Sequence, residues 1–494
     1  DDRNFNLSIE YDESFYNKAD MQTLLHSIIE LAENYAKQNA ESKDENASLQ
    51  ECSLLTEEEE LRLIALGTGE TLDYDKTKTF IDLFREQAAK TPDAVAVVFE
   101  DRQLTYKELD ELTDRLAVKL HTLGVAPEVT VGVLIDRSEL MVVYPLAIMK
   151  AGGAYMPLDP TFPEERLLYM CKDAGLSLIL SDEGLAENVI PTFEGSVIGS
   201  SLLRLLPEVT AEELGSLPKA APDNKFVILY TSGSTGKPKG VVLENHGIVN
   251  FCHWYIDAFN MTSSDRALAY AGFGFDAHMM DVYPALVCAA SVYILPADLR
   301  MDPAGMNRYM EESGISIAFL TTQLGHLFVN TIDNHSLRLL SLGGEKLQAI
   351  RKPAYRLVNG YGPTECTIYS SFYEIETDYD SNVIGRPLNG VRLYVIDHSE
   401  HLVSEGSIGE LAICGEGVAR GYLNDSELTV ERFVDITIGS KTVKIYKTGD
   451  LCRWNENGQL EYIGRIDNQV KLRGFRIELG EIESAALQME GIRQ

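Results

Sequence analysis

The chain is poor in positive charge. Lys and Arg number 43 against 76 Asp and Glu in 494 residues, a formal net charge of −33. So acidic a surface repels phosphate backbones and anionic lipid. Nucleic acid and membrane surfaces are excluded as broad electrostatic partners, and any polyanion must be held by a local site. Cysteine is also scarce. Cys52, Cys171, Cys252, Cys288, Cys366, Cys414 and Cys452 are odd in number and none stands in a C-x-x-C spacing. That argues against a disulfide scaffold or a thiolate zinc site and fits reduced thiols in the cytoplasm. No apolar run approaches the ~18 residues of a membrane span, and the opening DDRNFNLSIEYDE has no basic-then-apolar signal pattern, so cytoplasmic localisation is expected. Internal repeats and low-complexity tracts are missing too.

What is present is ordinary for a globular protein: 45% hydrophobic and 24% charged residues, enough apolar material for a large core. The length suits about three average domains, or one large α/β body with smaller parts. An amphipathic stretch carrying Leu24, Leu25, Ile28, Ile29 and Leu31 is followed by the polar KQNAESKDENASLQEC, so residues 1–60 read as the tail of an upstream domain plus a linker. From about Thr77, β-branched apolar runs (AVAVVF, TVGVLI, LSLILS, KFVILY, SVYILP, SIAFL) alternate with helical patterns. This predicts parallel βαβ units with helices on the sheet faces. Near Val391 the pattern changes to short alternating strands (VRLYVID, GELAICG, TVKIYKTGD, QLEYIGR), which predicts a smaller antiparallel sheet or distorted barrel. The expected fold is therefore α/β: a large core over 61–467, and over 468–494 the start of a small α+β lid.

The densest local signal is Tyr230-Thr-Ser-Gly-Ser-Thr-Gly-Lys-Pro-Lys-Gly240. Small hydroxylated residues and glycines let backbone N–H groups approach phosphate oxygens, and Lys237 and Lys239 add charge. It is not a Walker loop. The spacing differs, Pro238 follows the first lysine, and VVLEN continues as a strand where a Walker loop would start a helix. Asp450, ending YKTGD, suits two vicinal hydroxyls, because one carboxylate accepts two hydrogen bonds; a turn Asp at a strand end is the plain alternative. Glu365 in YGPTE suits a Mg²⁺ among phosphates. Asp276 in FGFDAH is a lone carboxylate in an apolar, aromatic stretch. Its partner could be an α-ammonium group, or it could simply cap the helix AHMMDVYPAL.

YTSGSTGKPKG resembles the phosphate loop of the adenylate-forming enzymes. Further similar runs follow in order: LTYKELDELTDRLA, MKAGGAYMPLDP, FGFDAH, NGYGPTE, GELAICGEGVARGY, YKTGD and GRIDNQVKLRGFRIELGEIE. The pattern is that of adenylation domains of nonribosomal peptide synthetases, and residues 1–60 resemble the tail of a condensation domain. The resemblance implies ATP and Mg²⁺ as cofactors, with a phosphopantetheine thiol on a partner carrier domain as acceptor. It implies catalytic roles for Thr231, Lys237, Lys239, Thr364, Glu365 and Arg465, with Glu365 on the metal. It implies nucleotide contacts from Thr231, Ser232, Gly233, Ser234, Thr235, Gly236, Asn359, Tyr361, Asp450, Tyr462 and Arg465. Asp467 would be the hinge of the lid. By positional carry-over, Asp276, Ala277, Met280, Phe319, Leu340, Leu342, Gly360, Ile368 and Tyr369 would line the amino-acid pocket. With only Asp276 charged, that set favours an aliphatic hydrophobic amino acid such as Val, Leu or Ile, with Phe as the alternative that an adaptable Met280 leaves open. A carboxylate–CoA ligase of the same superfamily is the alternative, and Asp276 is the feature against it. The family's lid lysine, in a Gly-Lys motif, has no counterpart up to Gln494.

Overall fold

The computed structural model of the chain describes residues 6–41, 54–233, 236–467, 469–472 and 475–487. Two sheets carry most of it. The first has seven strands, in the order Gly421–Tyr422, Lys239–Glu244, Lys225–Thr231, Ala154–Leu158, Thr130–Leu134, Leu178–Ser181 and Ser196–Gly199. From Lys225–Thr231 to Ser196–Gly199 neighbouring strands run parallel, and the two strands at the other edge are antiparallel. The second sheet has fourteen strands. Its parallel part joins Val95–Phe99, Ser291–Ile294, Arg266–Ala269, Ile317–Thr321, Leu339–Gly343 and Arg356–Tyr361. At Arg356–Tyr361 the direction reverses. The expected antiparallel section then continues the same hydrogen-bonded sheet through Ser371–Ile375, Val383–Pro387, Leu460–Arg465, Lys441–Trp454, Gly409–Gly415 and Val391–Ile396.

Parallel strands must be covered on both faces, which is why their runs are apolar throughout. Thr130–Leu134, Ala154–Leu158 and Leu339–Gly343 are buried at every position. The helix Leu140–Lys150 is apolar all round and buried along its whole length, as a helix enclosed on all sides must be. The one charge it carries, Lys150, is neutralised: its Nζ donates to the carboxylates of Asp110 and Asp114. Capping boxes start the helices Phe80–Lys90 (Thr79 with Asp82) and Tyr106–Thr122 (Thr105 with Glu108), each satisfying two otherwise orphaned donors.

Residues near the start are also tied to this body. The helix Glu57–Leu66 opens on a Thr56–Glu59 capping box and buries Leu63. Beyond it, the Gly69 N–H donates to the Val391 carbonyl at 2.9 Å. The boundary expected after residue 60 therefore falls inside this helix. At the other end Val470–Leu472 and Phe475–Ile477 form a hairpin, followed by the helix Leu479–Leu487. Among the described residues no helix is long and apolar enough to cross a membrane.

Candidate active site

The strand Lys225–Thr231 turns back as Lys239–Glu244, with Thr231 opposite Lys239. The chain after the loop is thus a strand, as the sequence requires. The glycines of the loop are sterically necessary. A Cβ at Gly233 would lie 2.2 Å from the Lys237 carbonyl oxygen, and Gly236 sits at φ +82°, a conformation open to glycine but strained for other residues. The Thr231 hydroxyl is buried without a hydrogen-bond partner, and the Ser232 hydroxyl donates to the Arg476 carbonyl at 2.6 Å. Ser234 and Thr235 lie outside the described residues, as does Cys52. The two loop lysines diverge. Lys239 reaches the site, while the Lys237 ammonium stands 5.8 Å from the ring centroid of Tyr169.

Glu365 is the electrostatic centre. It lies on the short 3₁₀ turn Thr364–Cys366 and is fully buried. Arg476 donates to both of its oxygens at 3.0 and 2.9 Å, the Tyr422 hydroxyl donates at 2.8 Å, and the Lys239 ammonium lies 3.4 Å away. Burial pushes the carboxyl up, but the two cations outweigh it and hold Glu365 well below the usual range. Burial acts on Lys239 the other way and lowers it, against the pull of Glu365.

A second cluster forms where Arg356–Tyr361 faces the antiparallel strands. Arg465 donates to Asp450 Oδ1 at 2.7 Å, and the Tyr361 hydroxyl donates to Oδ2 at 2.5 Å. Arg465 also binds Asp467 through two nitrogens at 2.6 and 2.7 Å, which fixes the residue expected to be the hinge. The Asn359 amide donates to the Val383 carbonyl at 3.2 Å.

Three cavities adjoin these groups and meet at Gly344 and Gly362. The first, about 150 Å³, is lined by Thr231, Ser232, Asp276, Thr364, Asp450, Arg465 and Arg476 among others. The second, about 370 Å³, takes in Asn359, Gly360, Tyr361, Tyr462 and Arg465. The third, about 540 Å³, is bounded by Asp276, Ala277, Phe319, Gly360, Ile368 and Tyr369. Asp276 belongs to both the first and the third. It precedes the helix Ala277–Val287 but makes no capping hydrogen bond with its side chain, which removes the plain alternative. It is half-buried, not enclosed as its apolar sequence context suggests. Behind it a buried chain fixes the backbone: the Tyr283 hydroxyl donates to that of Tyr155, which bonds His278 Nε2, and His278 Nδ1 holds the Phe275 carbonyl. Burial drives His278 down to about 4, so it is neutral.

Three expected pocket residues are not brought to the third cavity. Met280, Leu340 and Leu342 are buried elsewhere in the core. The strand register gives the reason: Phe319 pairs with Ser341 and Thr321 with Gly343. Phe319 and Thr321 face the cavity, so strand alternation turns Leu340 and Leu342 to the other side. Leu342 packs against Gly325 of the helix Thr322–Thr331. In their place the cavity gains Tyr270, Arg300, Met301, Gln323, Leu324 and Leu327, so its lining is not uncharged beyond Asp276.

Sequence reasoning gave no role to Arg476, Tyr422 or Arg300. Arg476 and Tyr422 stand inside runs that carry the resemblance, where a charge and an aromatic next to glycines were the available signal. Arg300 follows the strand Ser291–Ile294 on its C-terminal side, the end at which open α/β sheets bind ligands.

The family model described as AMP-binding enzyme matches residues 84–423. Among curated proteins the chain is similar to bacitracin synthase 1 of Bacillus licheniformis, 36% identical over 493 residues, which is 99% of this chain and 9% of that protein. It is similar to surfactin synthase subunit 1 of Bacillus subtilis (strain 168), 40% identical over 452 residues, 91% of this chain and 12% of that protein. The chain thus spans about a tenth of the curated relatives it matches. Among solved structures it resembles NpsA-ThdA, an artificially fused adenylation–PCP di-domain from Klebsiella oxytoca, with a TM-score of 0.78 at 28% identity over 85% of this chain and 86% of that one. The Klebsiella oxytoca NpsA N-terminal subdomain in complex with 3-hydroxybenzoyl-AMSN superposes with a TM-score of 0.72 at 28% identity, covering 80% of this chain and 100% of that one.

Proposed function

This chain belongs to the AMP-binding enzyme family, and on that premise we propose that it is the adenylation domain of a nonribosomal peptide synthetase. It activates an amino acid with ATP for loading onto the phosphopantetheine thiol of a carrier domain. In this reading the catalytic core begins with the helix Glu57–Leu66 and runs to residue 467, 468–494 begin the lid, and the residues before that helix are the tail of an upstream condensation domain with its linker. The synthetase relatives and the adenylation–PCP neighbours support the assignment.

One observation carries it: Asp276 lines both the cavity of the phosphate-loop groups and the large, mostly apolar cavity beside it. An amino acid whose α-ammonium meets Asp276 lays its side chain among Ala277, Phe319, Leu324, Leu327 and Ile368. Its carboxylate then points at Thr231 and Thr364. A carboxylate oxygen attacks the α-phosphorus, the bond from that phosphorus to the α–β bridging oxygen breaks, and pyrophosphate leaves. Tyr361, Asn359 and Tyr462 surround the nucleoside, and Asp450 with Arg465 receives the ribose. The aliphatic expectation keeps the support of that apolar wall, although not of Leu340 and Leu342.

Among the described residues no three His, Cys, Asp or Glu side chains are grouped to hold a metal. A single buried carboxylate suits a Mg²⁺ that keeps its waters and phosphate oxygens, whereas the two cations now around Glu365 oppose it. Glu365 is the residue that would hold it, once the Arg476 guanidinium gives way, and the ion would neutralise charge on the departing pyrophosphate.

ATP–pyrophosphate exchange against the twenty amino acids tests the reading. Exchange that depends on one or a few amino acids is expected. Exchange driven by simple carboxylic acids lacking an α-amine, and by no amino acid, would overturn it.

A further inference from the structure

The large cavity contains two hydrogen-bond donors with nothing to donate to. The Arg300 side chain makes no hydrogen bond and no ion pair among the described residues, and its Nε is sealed from solvent without a partner. Its guanidinium lies beside Gly272 and the Tyr270 ring, 5.5 Å from guanidinium carbon to centroid. Tyr369 lines the same cavity. Its ring packs on Gly360, where a Cβ would come 2.2 Å from the ring, and a Cβ at Gly343 would lie 3.3 Å from its hydroxyl. That hydroxyl is also buried without a partner. Burial pushes the phenol far up, so it remains a donor across the physiological range.

The neighbouring charges do not account for Arg300. Asp281 is the carboxylate whose field it feels, but that group accepts the Tyr270 and Ala271 N–H groups at 2.9 and 2.8 Å. Burial pushes Asp281 up to about 8. Arg137, the other cation nearby, is spent on the carbonyls of Leu295, Ala271 and Ala269. Asp276 also lines the nucleotide-side cavity, and in the proposed reading it receives the α-ammonium. Arg300 is left as an uncommitted planar fork of donors inside a substrate cavity, with Thr321 and Gln323 on the same wall.

We propose that this cavity selects an amino acid whose aliphatic side chain ends in an oxygen acceptor, a carboxylate or a carboxamide, received by the Arg300 guanidinium and the Tyr369 hydroxyl. The inference rests on the amino-acid-activating reading of the same site. Apolar walls take the methylene stem, and the two donors reach the terminal oxygen of a carboxamide or both oxygens of a carboxylate, to which a guanidinium donates in bidentate fashion. A hydrocarbon side chain of the same shape would leave both donors buried and unpaired, and a cationic one would meet Arg300 directly. This replaces the expectation of a hydrocarbon side chain: the apolar stem is kept, but the end is polar.

Shape-matched amino acids test it with the 494-residue chain. Leu, Asn and Asp form one series; Met, Gln and Glu form the other. The readout is kcat/KM for ATP–pyrophosphate exchange. In at least one series the acceptor-bearing member should exceed its hydrocarbon isostere by about 10- to 100-fold, the scale set by leaving a buried donor unpaired. Asp or Glu leading assigns a carboxylate; Asn or Gln leading assigns a carboxamide. Arg300→Met and Tyr369→Phe should each shrink that ratio while leaving ATP affinity intact, because neither residue lines the two nucleotide-facing cavities. If Leu and Met equal or exceed their polar isosteres in the unaltered protein, the proposal falls while amino-acid activation stands. Unchanged selectivity in a folded Arg300→Met variant would also overturn it. No exchange with any amino acid would instead overturn the parent reading.

Discussion

Glu365→Gln removes one charge and almost no volume from a site with no solvent exposure. In the native protein that charge offsets Arg476 at 2.9 Å and Lys239 at 3.4 Å. Without it, two cations share a buried space with only neutral acceptors, chiefly the new amide oxygen and the Tyr422 hydroxyl. Removing one partner of a buried ion pair costs about 3–5 kcal/mol, so urea denaturation at pH 7 should show Glu365→Gln less stable by about 3 kcal/mol or more. The effect carries a pH signature. The folded carboxyl is held below its unfolded value of about 4.3, so its contribution is complete above that pH and is lost as pH falls through the folded value. The unaltered protein should therefore lose stability below about pH 4.3 more steeply than the variant does. Arg476→Met alone should also destabilise, and the double variant should be less damaged than the sum of the two, with a coupling of roughly 1–3 kcal/mol. A Glu365→Gln protein within 0.5 kcal/mol of the parent, or one with the same acid slope, would refute the claim that this carboxylate is held ionised by its neighbours.

Three further outcomes follow from the geometry. Asp450→Ala should weaken ATP binding about tenfold or more, since it removes an acceptor for charged and hydroxyl donors, and spare amino-acid affinity; Asp276→Ala should do the reverse. Calorimetry on each ligand separates the two, and equal loss of both ligands in either variant would make that residue structural. Lys150→Met leaves Asp110 and Asp114 facing each other beneath the core, with Arg85 on Asp114 as the remaining cation, and should cost about 3 kcal/mol in denaturant unfolding; a neutral effect would mean the carboxylates relax to solvent. Gly236→Ala forces a side chain into the left-handed region at φ +82° and should cost roughly 1–2 kcal/mol of stability or loop order, read as lower ATP affinity or an earlier unfolding midpoint.

Much of this architecture could be read from the chain itself. Parallel strands buried on both faces leave unbroken apolar runs, so AVAVVF, TVGVLI and KFVILY marked their own places. The antiparallel section showed itself by alternation. The Glu365 and Asp450 centres were visible through the runs YGPTE and YKTGD that carry the resemblance, since either acid by itself also reads as a turn residue. What stayed hidden depends on register and long-range packing. Whether Leu340 or Ser341 faces a cavity is decided by which residue of Ile317–Thr321 it pairs with, and a strand slip of one residue inverts the answer. Arg300 and Arg476 were equally obscure. An arginine reads as a solvated charge until the fold shows what its guanidinium is brought against: here the Tyr270 ring for Arg300, and a buried carboxylate 111 positions away for Arg476.

The meeting of the three cavities at Gly344 and Gly362 sets a thermodynamic ceiling on competition for the site. Two separate ligands each lose translational freedom on binding. A single molecule in which an aminoacyl chain and a nucleoside are covalently joined loses it once, and its second half docks at an effective concentration in the millimolar range or above. A stable mimic of such a conjugate should displace either substrate alone with an affinity approaching the product of the two. It should also be sensitive to any side chain added at those two glycines, because the passage between compartments is bounded there by backbone.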